Sequence, residues 1–260
     1  MSGSTGRHRT LNQTPWAVAG AFPTLPLAGQ VHLWRAPLSL SPVHTGHHYE
    51  LLSPDEKQRA AKFHYSTDRD HFINARGILR SLLGQYLNLP AAAIEFTYSA
   101  YGKPDLVTDT PLSFNVSHAG GYGLFGFTSG APLGVDLEKT DESIEVERLV
   151  TRFFSPTEAA AVLAFPPDDQ PAAFFRTWTR KEAFIKAHGG GLSLPLDQFS
   201  VTVDLGDSVK IRHIDWAPET VADWSLASFM VREGLPGAMV FGGEFWEDCF
   251  FDYQRPAQPA

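Results

Sequence analysis

The sequence predicts an α+β protein built from two similar α/β subdomains in a pseudo-twofold arrangement, with the active site in the cleft between them. Three observations carry this. Ser53-Pro54-Asp55-Glu56 and Ser155-Pro156-Thr157-Glu158 both spell a helix start. Each has a Ser N-cap, Pro at the first helical position and Glu at the third. Each start is then followed by the same order of patterns: a short helix running to Phe63 or Phe165, a longer helix, then strands. Helix-start chemistry alone would explain the two Ser-Pro pairs, but a repeated order of elements points to duplication. Hydrophobic residues make up 43% of the chain, with 19 Phe and 6 Trp, enough to fill a sizeable core.

The elements follow in order. Residues 1–28 read as a peripheral segment; the stretch 1–15 is polar, with Arg7, His8 and Arg9 and no apolar signal core after them, so no cleaved secretory signal is expected. The N-terminal subdomain spans 29–131. In it His44, His47 and His48 read as a polar loop, because no Cys or spaced ligand accompanies them. A long helix is expected over 67–87, with strands over 94–97, 113–117 and 122–128. Ala119-Gly120-Gly121 is a turn joining the last two. The C-terminal subdomain spans 132–253. It opens on a strand, Leu133-Gly134-Val135-Asp136-Leu137-Glu138, and continues into a helix over 170–187 that Gly189-Gly190-Gly191 terminates. Strands follow over 199–203, 209–214, 225–231 and 239–245. Residues 254–260 form a tail.

Charge and composition exclude several classes. A net charge of −8 argues against general nucleic-acid binding. No run approaches the ~20 apolar residues that span a bilayer, so no membrane partner is expected. The single cysteine, Cys249, allows no internal disulfide and fits a reducing cytoplasm. A duplicated chain supplies both halves itself, so a monomer is expected.

The chemistry concentrates in two segments. Asp136 and Glu138 lie two apart on a strand and project from one face. Glu182 and Lys186 lie four apart in Trp178-Thr179-Arg180-Lys181-Glu182-Ala183-Phe184-Ile185-Lys186 and share one helix face. Taken singly, each pair reads as ordinary surface charge, worth a few tenths of a kcal/mol on a helix. Their settings change that reading. Val135 and Leu137 alternate with the strand acids, and Phe174, Phe175, Trp178, Phe184 and Ile185 show that the helix is largely packed. Three acids and one lysine converging there suit a hard cation such as Mg2+, completed by the phosphates of a ligand. His118 ends the strand Phe114-Asn115-Val116-Ser117-His118 beside the glycine turn, which suits a phosphate contact or acid–base group; taken alone, it reads as a strand-end cap. Arg148, Arg152, Arg176, Arg180, Lys181 and Lys186 offer a local basic face for an acidic partner, or ordinary helix-surface charge.

With these blocks in view, the chain resembles the Sfp-type 4′-phosphopantetheinyl transferase family. The match rests on Phe114-Asn115-Val116-Ser117-His118, Gly134-Val135-Asp136-Leu137-Glu138 and Trp178 to Lys186. It continues through Gly189-Gly190-Gly191-Leu192-Ser193-Leu194-Pro195-Leu196, with Tyr101-Gly102-Lys103-Pro104 upstream, and covers about Ser53 to Phe199. The resemblance implies transfer of the phosphopantetheine arm of coenzyme A to a serine of an apo acyl, peptidyl or polyketide carrier protein, with release of adenosine 3′,5′-bisphosphate. It implies that Asp136, Glu138 and Glu182 hold Mg2+ and that Lys186 neutralises the pyrophosphate, with Lys181 as helper. It also implies that His118 meets the 3′-phosphate with Ser117 beside it, and that Lys103 and Pro104 line the adenine pocket. Arg59 and Arg76 fall where basic nucleotide contacts are expected. Glu56 stands where relatives can carry a lysine, which leaves one expected phosphate contact open but not the reaction. Catalysis is assigned to Glu182, Lys186 and His118, with Glu182 either a base or only a ligand. Two alternatives fit the same residues: a metal-dependent phosphohydrolase, or a non-catalytic protein that binds coenzyme A or a carrier.

Overall fold

The computed structural model describes residues 8–11, 16–18, 22–99, 102–191, 194–204, 209–244 and 247–253. Tyr101, Leu192 and Ser193 of the matching blocks, most of the segment 1–15 and the tail 254–260 lie outside the described residues.

Two short strands come first, β1 (His8–Leu11) and β2 (Ala17–Val18). The first half then runs β3 (Gln30–Pro37), α1 (Pro42–Leu51), α2 (Pro54–Ala60), α3 (Ser66–Leu87), β4 (Phe96–Tyr98), β5 (Pro104–Leu106), β6 (Leu112–Ala119) and β7 (Tyr122–Ser129). The second half repeats that order as β8 (Leu133–Leu137), α4 (Val146–Phe153), α5 (Pro156–Leu163), α6 (Gln170–His188), β9 (Phe199–Val201), β10 (Ile211–Ile214), β11 (Trp224–Arg232) and β12 (Leu235–Gly242). A last strand, β13 (Glu247–Asp252), closes the described chain. The pairing repeats too: β3-β7-β6 in one half and β8-β12-β11 in the other, each with a separate two-stranded sheet, β4-β5 or β9-β10.

Both expected helix starts form. Ser53 and Ser155 sit at the N-caps of α2 and α5, each with a Pro in the first turn and a reciprocal capping box. In each half the capping-box glutamate also turns inward to a cation from the long helix. Glu56 Oε2 accepts from Arg80 Nε at 2.7 Å, and Glu158 Oε2 accepts from Lys181 Nζ at 2.7 Å. Both pairs are almost fully buried. Removing one partner of such a pair leaves a charge stranded out of water, at about 3–5 kcal/mol.

Strand parity builds the layers. Trp34, Phe125 and Phe127 face Ile78, Leu79, Leu82 and Leu83 of α3. On the opposite faces, Val31, Leu33 and Leu124 of one sheet pack with Val135, Leu137, Ala227 and Met239 of the other. The far face of the second sheet, Leu226, Ala238 and Val240, meets Ala183, Phe184 and Ala187 of α6. The order is helix, sheet, sheet, helix. Each large side chain withdrawn from water contributes roughly 1.5–3 kcal/mol.

Three expectations change. His44, His47 and His48 lie on helix α1, not in a loop: Pro42 opens a helix after Ser41, and buried His48 bonds Asn74 of α3 at 2.9 Å. The strand β13, inside the span given to the C-terminal subdomain, instead pairs in parallel with β3 of the first half. Conversely β1, from the segment expected to be peripheral, pairs with β11 of the second half. An open sheet edge takes whichever strand reaches it, and here the two chain ends cross over.

Candidate active site

Asp136 of β8 and Glu138, one residue past its end, face α6 because Val135 and Leu137 face the sheet-on-sheet core and the pleat alternates. The approach of helix to strand is set by Gly134. A Cβ there would collide with the backbone of Ala183, Lys186 and Ala187, so α6 lies directly on β8. One helical turn then brings Glu182 and Lys186 over Asp136.

Lys186 Nζ donates to Asp136 Oδ1 at 2.6 Å and to Ser117 Oγ at 3.0 Å. Ser117 donates in turn to Asp136 Oδ1 at 2.9 Å. Asp136 is 3% exposed, and its buried Oδ2 has no hydrogen-bond partner among the described residues. The carboxylates strain against one another. Burial first, then Asp136 and Glu182 against the opposing pull of Lys186, push Glu138 up to about 7. Burial and then Asp136 also raise Glu182, again opposed by Lys186.

A cleft of about 360 Å³ opens beside this cluster, lined from the first half by Lys103, Pro104, Phe114 and Val116 and from the second by Glu182 and Lys186. Lys103 Nζ crosses the cleft and donates to the Lys186 carbonyl at 2.9 Å. Burial holds its ammonium below the ordinary lysine value, aided by nearby Lys186 and opposed by Asp105. His118 sits exposed at the end of β6, where partial desolvation and then Lys186 lower its pKa, with smaller contributions from His71 and Arg59. Cationic groups of both halves therefore share one region.

The donor set fits a hard divalent cation: three carboxylates, one with an orphaned buried oxygen, that destabilise one another when charged. Among the described residues no three such groups are gathered at metal-holding spacing, and Lys186 Nζ occupies Asp136 Oδ1.

Two family models match, "4'-phosphopantetheinyl transferase superfamily" over residues 132–238 and "4'-phosphopantetheinyl transferase, N-terminal" over 41–126. The chain is 32% identical over 230 residues to the 4'-phosphopantetheinyl transferase HetI of Nostoc sp., across 87% of this chain and 94% of that protein. The chain belongs to the 4'-phosphopantetheinyl transferase family. It is 36% identical to the 4'-phosphopantetheinyl transferase Sfp of Bacillus subtilis over 62% of this chain and 70% of that one. Against the human L-aminoadipate-semialdehyde dehydrogenase-phosphopantetheinyl transferase it is 28% identical, over 70% and 64% of the two chains. The two family models fall on the two halves of the fold.

Within this transferase, the structure brings Ser117, Asp136, Glu182 and Lys186 together and sets Lys103 and Pro104 along the cleft. Two expected nucleotide contacts are engaged inside the protein. Lys181 is fully buried and bonds Glu158 and the Phe199 carbonyl; its neighbour Glu182 points about 100° away around the helix. Arg76 pairs with Glu56 at 3.4 Å and lies over the Phe96 ring, so Glu56 draws a cation inward. The expected basic face shrinks as well. Arg180 is fully buried, donating to the carbonyls of Thr202 and Asp204, and Lys181 is buried beside it. Arg148 and Arg152 remain exposed.

Among the described residues no helix is long and apolar enough to cross a membrane.

Proposed function

We propose that this enzyme transfers the phosphopantetheine arm of coenzyme A to a serine of an apo carrier protein in a Mg2+-dependent reaction. The observation that supports this best is the Ser117–Asp136–Lys186 cluster, with Glu182 on the same helix face as Lys186, beside a cleft that both halves line.

The serine hydroxyl attacks the β-phosphorus, its new O–P bond forms, and the bond to the bridging oxygen breaks. Adenosine 3′,5′-bisphosphate leaves with the electron pair. Mg2+ held by Asp136, Glu138 and Glu182 would supply charge neutralisation at the pyrophosphate. Lys186, released from Asp136, places an ammonium against the same oxygens; one well-aimed group of this kind is worth about 3 kcal/mol. Lys103 steadies the C-terminal turn of α6, and with Pro104 it walls the cleft where the adenine would lie. His118, with Arg59 nearby, meets the 3′-phosphate. Glu182 either accepts the serine proton or serves only as a ligand; Glu182→Gln at saturating Mg2+ distinguishes these, since only a lost base leaves the chemical step slow.

Incubation with coenzyme A, Mg2+ and an apo carrier, followed by intact mass of the carrier, tests the reading. Gain of a phosphopantetheine with release of adenosine bisphosphate is expected. Cleavage of coenzyme A with an unmodified carrier would make the protein a phosphohydrolase. Binding with neither change would make it non-catalytic.

A further inference from the structure

We infer that Asn115 and Ser117 are positioning residues that fix the acid-bearing strand β8 from across the seam between the halves. This rests on the metal-holding role given to Asp136 and Glu138 above. β6 is the outer strand of the five-stranded sheet and β8 the outer strand of the four-stranded sheet. These two edges meet at the seam, and among the described residues no backbone ladder joins them.

Side chains supply the missing rungs. Asn115 Oδ1 accepts from the Val135 N–H at 2.9 Å, and Ser117 Oγ accepts from the Leu137 N–H at 3.3 Å. Residues 115 and 117 project from one face of β6, and the N–H groups of 135 and 137 leave one edge of β8, so two strands of period two are in register. A slip of one residue would break both bonds. Asn115 and Ser117 are 6% and 8% exposed, so each bond satisfies an N–H with little access to water. Ser117 is also saturated: it takes hydrogens from Leu137 and Lys186 and gives its own to Asp136. Asp136 lies between the two rungs. The first half therefore dictates where the carboxylates of the second half stand. Neither role requires contact with the reacting atoms.

The test uses the full chain with Asn115→Ala, Ser117→Ala and Ser117→Thr. Two readouts are taken: amide hydrogen exchange at Val135 and Leu137, and the Mg2+ concentration that half-saturates transfer, measured beside KM for coenzyme A. Loss of such outer support weakens metal binding about 10–100-fold. Half-saturating Mg2+ should therefore rise on the order of tenfold in both alanine variants, beyond any change in KM for coenzyme A, whose cleft Asn115 also lines. Exchange should accelerate at Val135 in Asn115→Ala and at Leu137 in Ser117→Ala. Ser117→Thr keeps the hydroxyl and should restore both. Unchanged exchange, or exposed amides with an unchanged Mg2+ requirement, overturns the inference. Should Asn115→Ala fail to fold, the Ser117 pair makes the same decision. A wild type whose transfer ignores Mg2+ overturns the metal assignment instead, while the exchange rates still decide whether the rungs exist.

Discussion

Glu138→Gln should make the metal-free protein more stable at pH 8 while removing most of its activity. In the fold Glu138 titrates near 7, against an ordinary value of 4.5, because burial and the charges of Asp136 and Glu182 oppose its ionisation. A carboxyl whose folded pKa is raised binds a proton that the unfolded chain releases. Its contribution to stability is complete below 4.5 and is lost as pH rises to about 7. At 1.36 kcal/mol per pH unit, that interval caps the loss at about 3 kcal/mol, and the partial exposure of Glu138 lowers the expected value to about 1–3 kcal/mol. The neutral amide escapes this penalty. Urea unfolding in chelator, at pH 8 and at pH 4, measures it. Wild type and variant should differ by 1–3 kcal/mol at pH 8 and converge at pH 4 (roughly; the range follows from the same linkage). Added Mg2+ should stabilise wild type more than the variant, because only the former keeps all three carboxylates. An equal gain at both pH values, or no gain at pH 8, would show that the carboxylates do not strain against one another and would remove the electrostatic case for a cation there.

Lys181→Met should destabilise the protein by about 3–5 kcal/mol by stranding Glu158, while folded enzyme keeps its KM for coenzyme A; a raised KM with unchanged stability would return Lys181 to the phosphate site. Gly134→Ala should separate α6 from β8 and cost at least about 1–3 kcal/mol by overpacking, with transfer falling more steeply than stability in parallel denaturation and rate assays. His118→Ala should weaken use of coenzyme A but leave the 3′-dephospho donor nearly unaffected; equal losses with both donors would detach His118 from the 3′-phosphate.

Local chemistry was enough to read much of this molecule. The two Ser-Pro-x-Glu starts, the long helices and the alternation around Asp136 follow from capping, helical period and strand pleat, all of which act within a few residues. Those rules also placed Asp136 with Glu138, and Glu182 with Lys186, because side chains two apart on a strand or four apart on a helix share a face. They could not say which helix face meets the cleft. Lys181 and Lys186 are both cations on α6, yet one is committed to Glu158 in the core and the other to Asp136 at the site. The duplicated capping-box glutamates were the available signal, since a buried acid requires a cation from somewhere. Sequence was equally silent on β13 joining β3, on β1 joining β11, and on Asn115 and Ser117 serving as rungs for β8. Such partners lie far apart along the chain, and what selects them is an open edge or an unsatisfied N–H that exists only after the sheets have packed.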